Sequence, residues 1–421
     1  MRAMSLATVL VAASGYLILI VAAHALGKAN YEIFLVYWGF FFALTGFLDG
    51  LMQETTRAVT ARRNVEEANA HRESGAPHTR PIRAAALIAV IFAAFIALTS
   101  PLYIGKMAPD TPVLGATLLA VGLASYAFQA LLCGLLSAAL AWNRFALLIT
   151  IDSVSRLVLA LVALALGWHT IAFLLVTVLG AITWLGFVLL SAECRALLSE
   201  RADANQRTFL HRTFKAMIAS GANAVVITGF PVLLKFTTDS STAQGALAAT
   251  ITAVTITRAP ILVPLQRFQP ALIVHFTKAG KKVLSAVLLP IAAVAGIAVL
   301  GGIAAFLIGR PLLGIFFTGD LLVTPLWLGL FTLVSGATAI LMITGSAALA
   351  AERHTLYSVG WVIATLVAIG ALFIDASPEV RAMVALGVGP VIGAVTHLTI
   401  LTVSHRQSSR AGNSIQGHTH A

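Results

Sequence analysis

Charged and amide side chains set inside apolar runs are the residues of this sequence best placed to do chemistry. Asp152 and Arg156 stand four residues apart in a long hydrophobic stretch, a spacing that puts both on one helix face, where each can neutralise the other. The pair reads either as self-satisfied or, facing a wet cavity, as an arginine able to exchange Asp152 for an anionic substrate group. A second apolar run contains Thr255-Ile256-Thr257-Arg258-Ala259-Pro260 and then Pro264-Leu265-Gln266-Arg267-Phe268-Gln269-Pro270, with no acid among them. Two arginines and the amides of Gln266 and Gln269 are tolerated in a span only where they face protein or water. Arg258 and Arg267 would lie about 13.5 Å apart along a helix rising about 1.5 Å per residue. That makes a basic track, and the planar guanidinium fork matches phosphate, so a phosphate or diphosphate is the ligand class it fits. Asp49, in Leu48-Asp49-Gly50-Leu51-Met52-Gln53-Glu54, lies deep enough to carry a proton or hold a contact between helices, whereas Glu54 reads as interfacial. Charge at a span centre costs about 2.5–3.5 kcal/mol on insertion scales, so each such residue is a functional candidate by default.

Other chemistry is not indicated. His24, His275 and His397 sit near span ends without metal-ligand spacing and read as packed or interfacial; His418-Thr419-His420 reads as a polar tail. No metal or cofactor is expected. The sequence has no phosphate-binding loop of the Walker type, no HExxH and no nucleophile-elbow serine, which argues against an enzyme and against ATP hydrolysis. Energy for any work must come from gradients or from the substrate's own traffic.

The elements that position these residues follow from composition. Of 421 residues, 59% are hydrophobic and 10% charged, against about 45–50% and about 25% in globular chains. This excludes a soluble enzyme, a disulfide scaffold and a disordered protein, and leaves an all-α polytopic membrane protein. Windows of about 20 apolar residues, enough to cross a bilayer, fall at 4–26, 31–54, 84–104, 112–140, 146–167, 170–193, 215–236, 243–274, 283–308, 321–345, 354–374 and 380–403. Basic residues test the count. Arg2, the cluster from Arg57 to Arg83, Arg144, the cluster from Arg195 to Lys215, Lys278 to Lys282, Arg353, Arg406 and Arg410 fall on one face, and few fall on the other. The positive-inside rule then places both termini in the cytoplasm. It also accounts for the net charge of +11 without nucleic acid. Met1-Arg2 and the following apolar run imitate a signal peptide, but the run exceeds the usual core of about 7–15 residues, so it is read as a span. Cys133 lies in a span and Cys194 at a basic span end, so no disulfide is expected. External loops are short, leaving no room for a water-facing catalytic domain.

The hydrophilic segments 56–83 and 194–214 punctuate the chain, and the second divides twelve spans into six and six. Residues 1–193 form an N-terminal six-helix lobe, 194–214 a basic linker, 215–404 a C-terminal six-helix lobe and 405–421 a polar tail. Ala13-Ser14-Gly15 and Ala219-Ser220-Gly221 open the two halves at equivalent places, as internal repeats of transporters do.

Three stretches carry a resemblance: Gly15 through Leu26-Gly27-Lys28 and Phe34 to Leu48-Asp49-Gly50 with Thr55-Thr56-Arg57; Ala222-Asn223 through Phe230-Pro231-Val232-Leu233-Leu234; and Arg258-Ala259-Pro260 with Leu265-Gln266 and Gln269-Pro270. With the six-plus-six plan, the chain resembles polysaccharide flippases of the Wzx type, in the multidrug, oligosaccharidyl-lipid and polysaccharide (MOP) exporter superfamily, over nearly its whole length. The resemblance implies a multi-pass protein of the bacterial cell membrane that moves polyprenyl-diphosphate-linked oligosaccharide to the outer leaflet. It implies alternating access around an arginine-bearing cavity to which Arg156, Arg258 and Arg267 belong, with Asp49 or Asp152 coupling a proton or sodium ion. Membrane lipids and glycan-assembly membrane enzymes are the implied partners. The competing readings are a cation-coupled multidrug or small-metabolite antiporter on the same fold, a major-facilitator fold, disfavoured by the long segment 56–83, and a noncatalytic scaffold.

Overall fold

The computed structural model describes the backbone of residues 2–68, 79–239 and 245–417, and side chains over the same ranges except 2–3, 65–68, 267, 270, 281, 354 and 404–417. Arg72, the Arg267 side chain, the tail's side chains and His418 to His420 therefore lie outside the described residues. The described residues form helices α1 (Arg2–Ala25), α2 (Lys28–Ala68), α3 (Pro81–Thr99), α4 (Ile104–Met107), α5 (Pro112–Ala138), α6 (Trp142–Ala165), α7 (Thr170–Leu179), α8 (Thr183–Leu190), α9 (Ala192–Leu197), α10 (Gln206–Ile227), α11 (Phe230–Phe236), α12 (Ala248–Ala279), α13 (Val283–Ala286), α14 (Leu288–Leu313), α15 (Pro325–Ala350), α16 (His354–Ala371) and α17 (Pro378–Gly417). Proline opens α3, α5, α15 and α17, where its fixed φ suits the first turn and its missing N–H costs no bond. Asn205 Oδ1 accepts from Thr208 N at 2.9 Å and so caps α10.

Ten helices among the described residues are long and apolar enough to cross a membrane, eleven if α10 and α11 count as one span bent by 69°. The remaining expected window, 354–374, holds a shorter apolar helix, Thr355–Ala371. Large apolar side chains stay exposed along these helices, Leu300, Phe306 and Leu307 of α14 among them; lipid is the solvent in which such faces are stable. This is a multi-pass membrane protein.

Three features depart from the sequence expectation. Helix α2 does not stop at residue 54 but runs on to Ala68, about 60 Å at about 1.5 Å per residue. Its charges are paired: Arg57 donates to Glu54 at 2.6 and 2.8 Å and to Asp203 at 2.9 Å, and Arg63 donates to Glu200 at 2.6 Å. The span expected at 215–236 is broken at Thr228-Gly229, where a side chain on Gly229 would meet Val225 O at 2.9 Å and Ala43 Cβ at 3.1 Å. And α12 continues through Pro260, Pro264 and Pro270, although its apolar span ends at Gln266.

The chain divides into two compact units, 1–235 with 240–248, and 236–239 with 249–421. In the first, α2 packs along α10 and α5, α3 on α5, and α1 on α6. Backbones approach closely where glycine allows it: a Cβ on Gly50 would fall on the Ala216-Met217 backbone of α10. At one end of this unit Ala202 N donates to Thr79 O (2.8 Å), Thr79 N to Ala204 O (3.0 Å) and Asp203 N to Ala58 O (3.2 Å), so the two hydrophilic segments of the sequence are bound to each other. Another tie holds Glu32 of α2, 1% exposed, to Lys235 Nζ (2.5 Å) and Leu247 N (2.8 Å). In the second unit α15 packs between α14 and α17, and α16 lies on α17. Here Arg381, buried near the start of α17, donates to Leu372 O at 2.6 Å, to Thr238 Oγ1 at 3.3 Å and to Thr237 O.

Candidate functional site

The first unit gathers polar side chains from three helices into its apolar interior. On α6 the four-residue spacing works as expected: Arg156 Nε donates to Asp152 Oδ1 at 2.7 Å, with the arginine side chain 3% and the aspartate side chain 16% exposed. Asp152 Oδ2 accepts from Gln129 Nε2 of α5 at 2.8 Å. One turn earlier on α5, Tyr126 donates its hydroxyl to Asp49 Oδ1 of α2 at 3.3 Å. Tyr126 and Gln129, spaced i and i+3 and so neighbours on the helix surface, therefore bridge the two aspartates. The guanidinium carbon of Arg156 lies 5.5 and 5.2 Å from the ring centroids of Phe41 and Phe42 on α2, within cation–π range. Gly180, in the turn between α7 and α8, completes the wall: a Cβ there would fall on the Asp152 carboxylate and the Arg156 guanidinium.

A buried ion pair is costly to break, about 3–5 kcal/mol when one partner is removed, so Asp152 and Arg156 hold each other in place. The cluster is not saturated: Gln129 Oε1 and Arg156 Nη2 are buried and make no hydrogen bond. Arg156 pairs with Asp152 and Asp49 is held by the Tyr126 hydroxyl, so the cluster carries one negative charge over when both carboxylates are ionised. Such a site can take up a proton or a small cation, with Gln129 Oε1 as a further oxygen donor.

The other expected residues are placed differently. Arg258 is buried in α12, 4% exposed, and belongs to the second unit. Gln266, the last residue of the α12 span, is exposed, and Gln269 beyond it is half-buried. Thus Asp49, Asp152 and Arg156 come together, and Arg258, Gln266 and Gln269 follow one another along a separate helix. Sequence reasoning passed over Tyr126 and Gln129, whose signal was an i, i+3 polar pair in an otherwise apolar span. It also passed over Glu32, an acid just inside a span, and read His397 only as packed.

No family model matches the chain. The uncharacterized protein Rv3630 of Mycobacterium tuberculosis (strain H37Rv) is 35% identical over 395 residues, 94% of this chain and 90% of that protein. The uncharacterized protein Rv1510 of the same strain is 37% identical over the same shares. The chain belongs to the family of these mycobacterial proteins. Among solved structures, an inward-facing multidrug resistance MATE family transporter of the MOP superfamily matches with a TM-score of 0.71 at 15% identity, over 96% of this chain and 95% of that one. An outward-facing MATE structure matches at 0.64 with 17% identity over 97% and 95%. A MOP superfamily transporter from Pyrococcus furiosus, described by the reverse polarity of its binding pocket, matches at 0.62 with 16% identity over 97% and 95%. The chain thus has the fold of these MATE transporters, the all-α polytopic class expected from the sequence.

Proposed function

We propose that the protein is a membrane transporter that flips a polyprenyl-diphosphate-linked oligosaccharide from the cytoplasmic to the outer leaflet by alternating access. The observation that carries this reading is Arg258: an arginine only 4% exposed within a membrane span. A buried arginine suits a diphosphate, which its planar fork can grip bidentately. Arg267, Gln266 and Gln269 continue the polar track along the same helix toward the basic, cytoplasmic end. The Asp49, Asp152 and Arg156 cluster has the opposite character, one acid in excess, and supplies the coupling site for a proton or sodium ion. In this division Arg156 positions Asp152 rather than gripping substrate. The six-helix lobes 1–193 and 215–404, joined by 194–214 with a cytoplasmic tail at 405–421, are the bodies that would alternate.

The same acid excess favours a second reading, a cation-coupled multidrug or small-metabolite antiporter, because a cationic drug also seeks carboxylates. Depleting the protein in a cell that expresses it separates the two. With leaflet-specific labelling, the flippase reading expects lipid-linked glycan to accumulate in the cytoplasmic leaflet. Unchanged glycan distribution with altered efflux of a cationic drug would favour the antiporter.

A further inference from the structure

Among the described residues of the second unit, His397 is set deepest of the histidines: it is 0% exposed at the junction of α15, α16 and α17. Its ring stacks on Tyr357 of α16, with an interplanar angle of 7° and centroids 6.5 Å apart. Glycines are shaped around it, since a Cβ on Gly360 would fall on the imidazole and one on Gly345 would lie 3.5 Å from it. Nε2 lies 3.2 Å from Tyr357 O. A carbonyl only accepts, so Nε2 carries the hydrogen. Nδ1 lies 3.0 Å from Thr344 Oγ1, and that hydroxyl also lies 3.0 Å from Leu341 O.

One hydroxyl hydrogen between two acceptors gives the ring two satisfied states. When the imidazole is neutral, Thr344 donates to Nδ1. When it is protonated, Nδ1–H donates to Thr344 Oγ1 and the hydroxyl turns to donate to Leu341 O. Gaining a proton thus needs one hydroxyl rotation and leaves no donor of the ring unmet, which removes the unpaired-donor part of the cost of charge in an apolar interior. No Asp, Glu, Lys or Arg occurs in α15 or α16 or in α17 between Arg381 and Arg406; the titratable group facing the ring is Tyr357. An open cavity lies nearby in the chain. A cavity of about 480 Å³ at the α15–α16 turn is lined by Glu352, Arg353, Thr355, Leu356, Val359 and Ile400. Leu356 precedes Tyr357 in the chain, and Ile400 lies one turn beyond His397.

We propose that His397 is a proton-binding site of the second unit, separate from the aspartate cluster of the first, and that it exchanges protons with water through the cavity at Glu352 and Arg353. The test uses the full chain in lipid nanodiscs with ¹⁵N-labelled histidine. The His397 signals are identified by difference against His397→Gln; should that variant fail to fold, Thr344→Val identifies them by displacing the same resonances. The expected result is an Nε2–H neutral ring near pH 8 that becomes doubly protonated as pH falls toward about 5, the range in which histidine ordinarily changes charge. Thr344→Val removes the acceptor of the charged state and should lower the midpoint by about one pH unit, a tenfold loss of proton affinity. Val359→Trp, which fills the cavity, should slow exchange and leave the midpoint in place. A ring that stays neutral throughout, or a midpoint indifferent to Thr344→Val, overturns the proton site; unaltered exchange in Val359→Trp overturns the route.

Discussion

Gly180 shows how tightly the aspartate cluster is specified at the level of single residues. Any side chain there competes for the space of Asp152 and Arg156, both of which are tied on more than one side. Gly180→Ala is expected to destabilise the protein by about 1–3 kcal/mol, the usual cost of overpacking an interior, seen as a lower thermal midpoint in detergent or nanodiscs. A midpoint equal to wild type would mean that the pair is free to move. Removing one charge should hurt more: Asp152→Ala leaves Arg156 buried beside two aromatic rings and is expected to cost about 3–5 kcal/mol. The double variant Asp152→Leu with Arg156→Met should recover most of that loss, and a strictly additive double-mutant cycle would refute the coupling. The Asp152–Arg156 pair was legible in the sequence because helical spacing alone defines it. Its partners were not, because Tyr126 and Gln129 lie on another helix, and only the packing of α5 against α2 and α6 brings them to the two aspartates.

Helices α2 and α10 carry the argument to the level of elements. Their contact depends on Gly50, where a Cβ would meet backbone rather than a side chain that can yield. Gly50→Val is therefore expected to separate the helices and sharply reduce the yield of folded protein, scored by monodispersity in detergent; normal yield would show that the contact is dispensable. At the opposite end of the unit, Glu32→Ala strands Lys235 and the Leu247 amide, and should lower stability by about 3–5 kcal/mol as a broken buried pair does, with Glu32→Gln milder because it still accepts a bond. The positions of the spans were readable from windows of apolar residues. The break at Thr228-Gly229 was not, since apolar windows register hydropathy alone, although Pro231, which has no N–H to give Ile227 O, marks it in the sequence. Nor was the run of α2 past residue 54, because its arginines look like loop charges until Glu200 and Asp203, distant in sequence, are seen to bind them.

Taken as a whole, the molecule buries an acid-rich cluster in the first unit and an arginine, Arg258, in the second. Composition alone fixed the membrane class, and the 12-span reading lies close to what the helices show. Substrate identity is a different matter: related folds serve many cargoes, so it must be argued from site chemistry. That chemistry centres on Arg258. The most direct measurement is flipping by purified protein in proteoliposomes loaded with a labelled polyprenyl-diphosphate oligosaccharide, read with a reagent confined to one leaflet. The account predicts protein-dependent exchange between leaflets that Arg258→Gln reduces at least tenfold, a loss of about 1.4 kcal/mol or more in transition-state terms, and that Arg258→Lys partly retains. Exchange at the rate of empty liposomes, or a rate in Arg258→Gln equal to wild type, would contradict it.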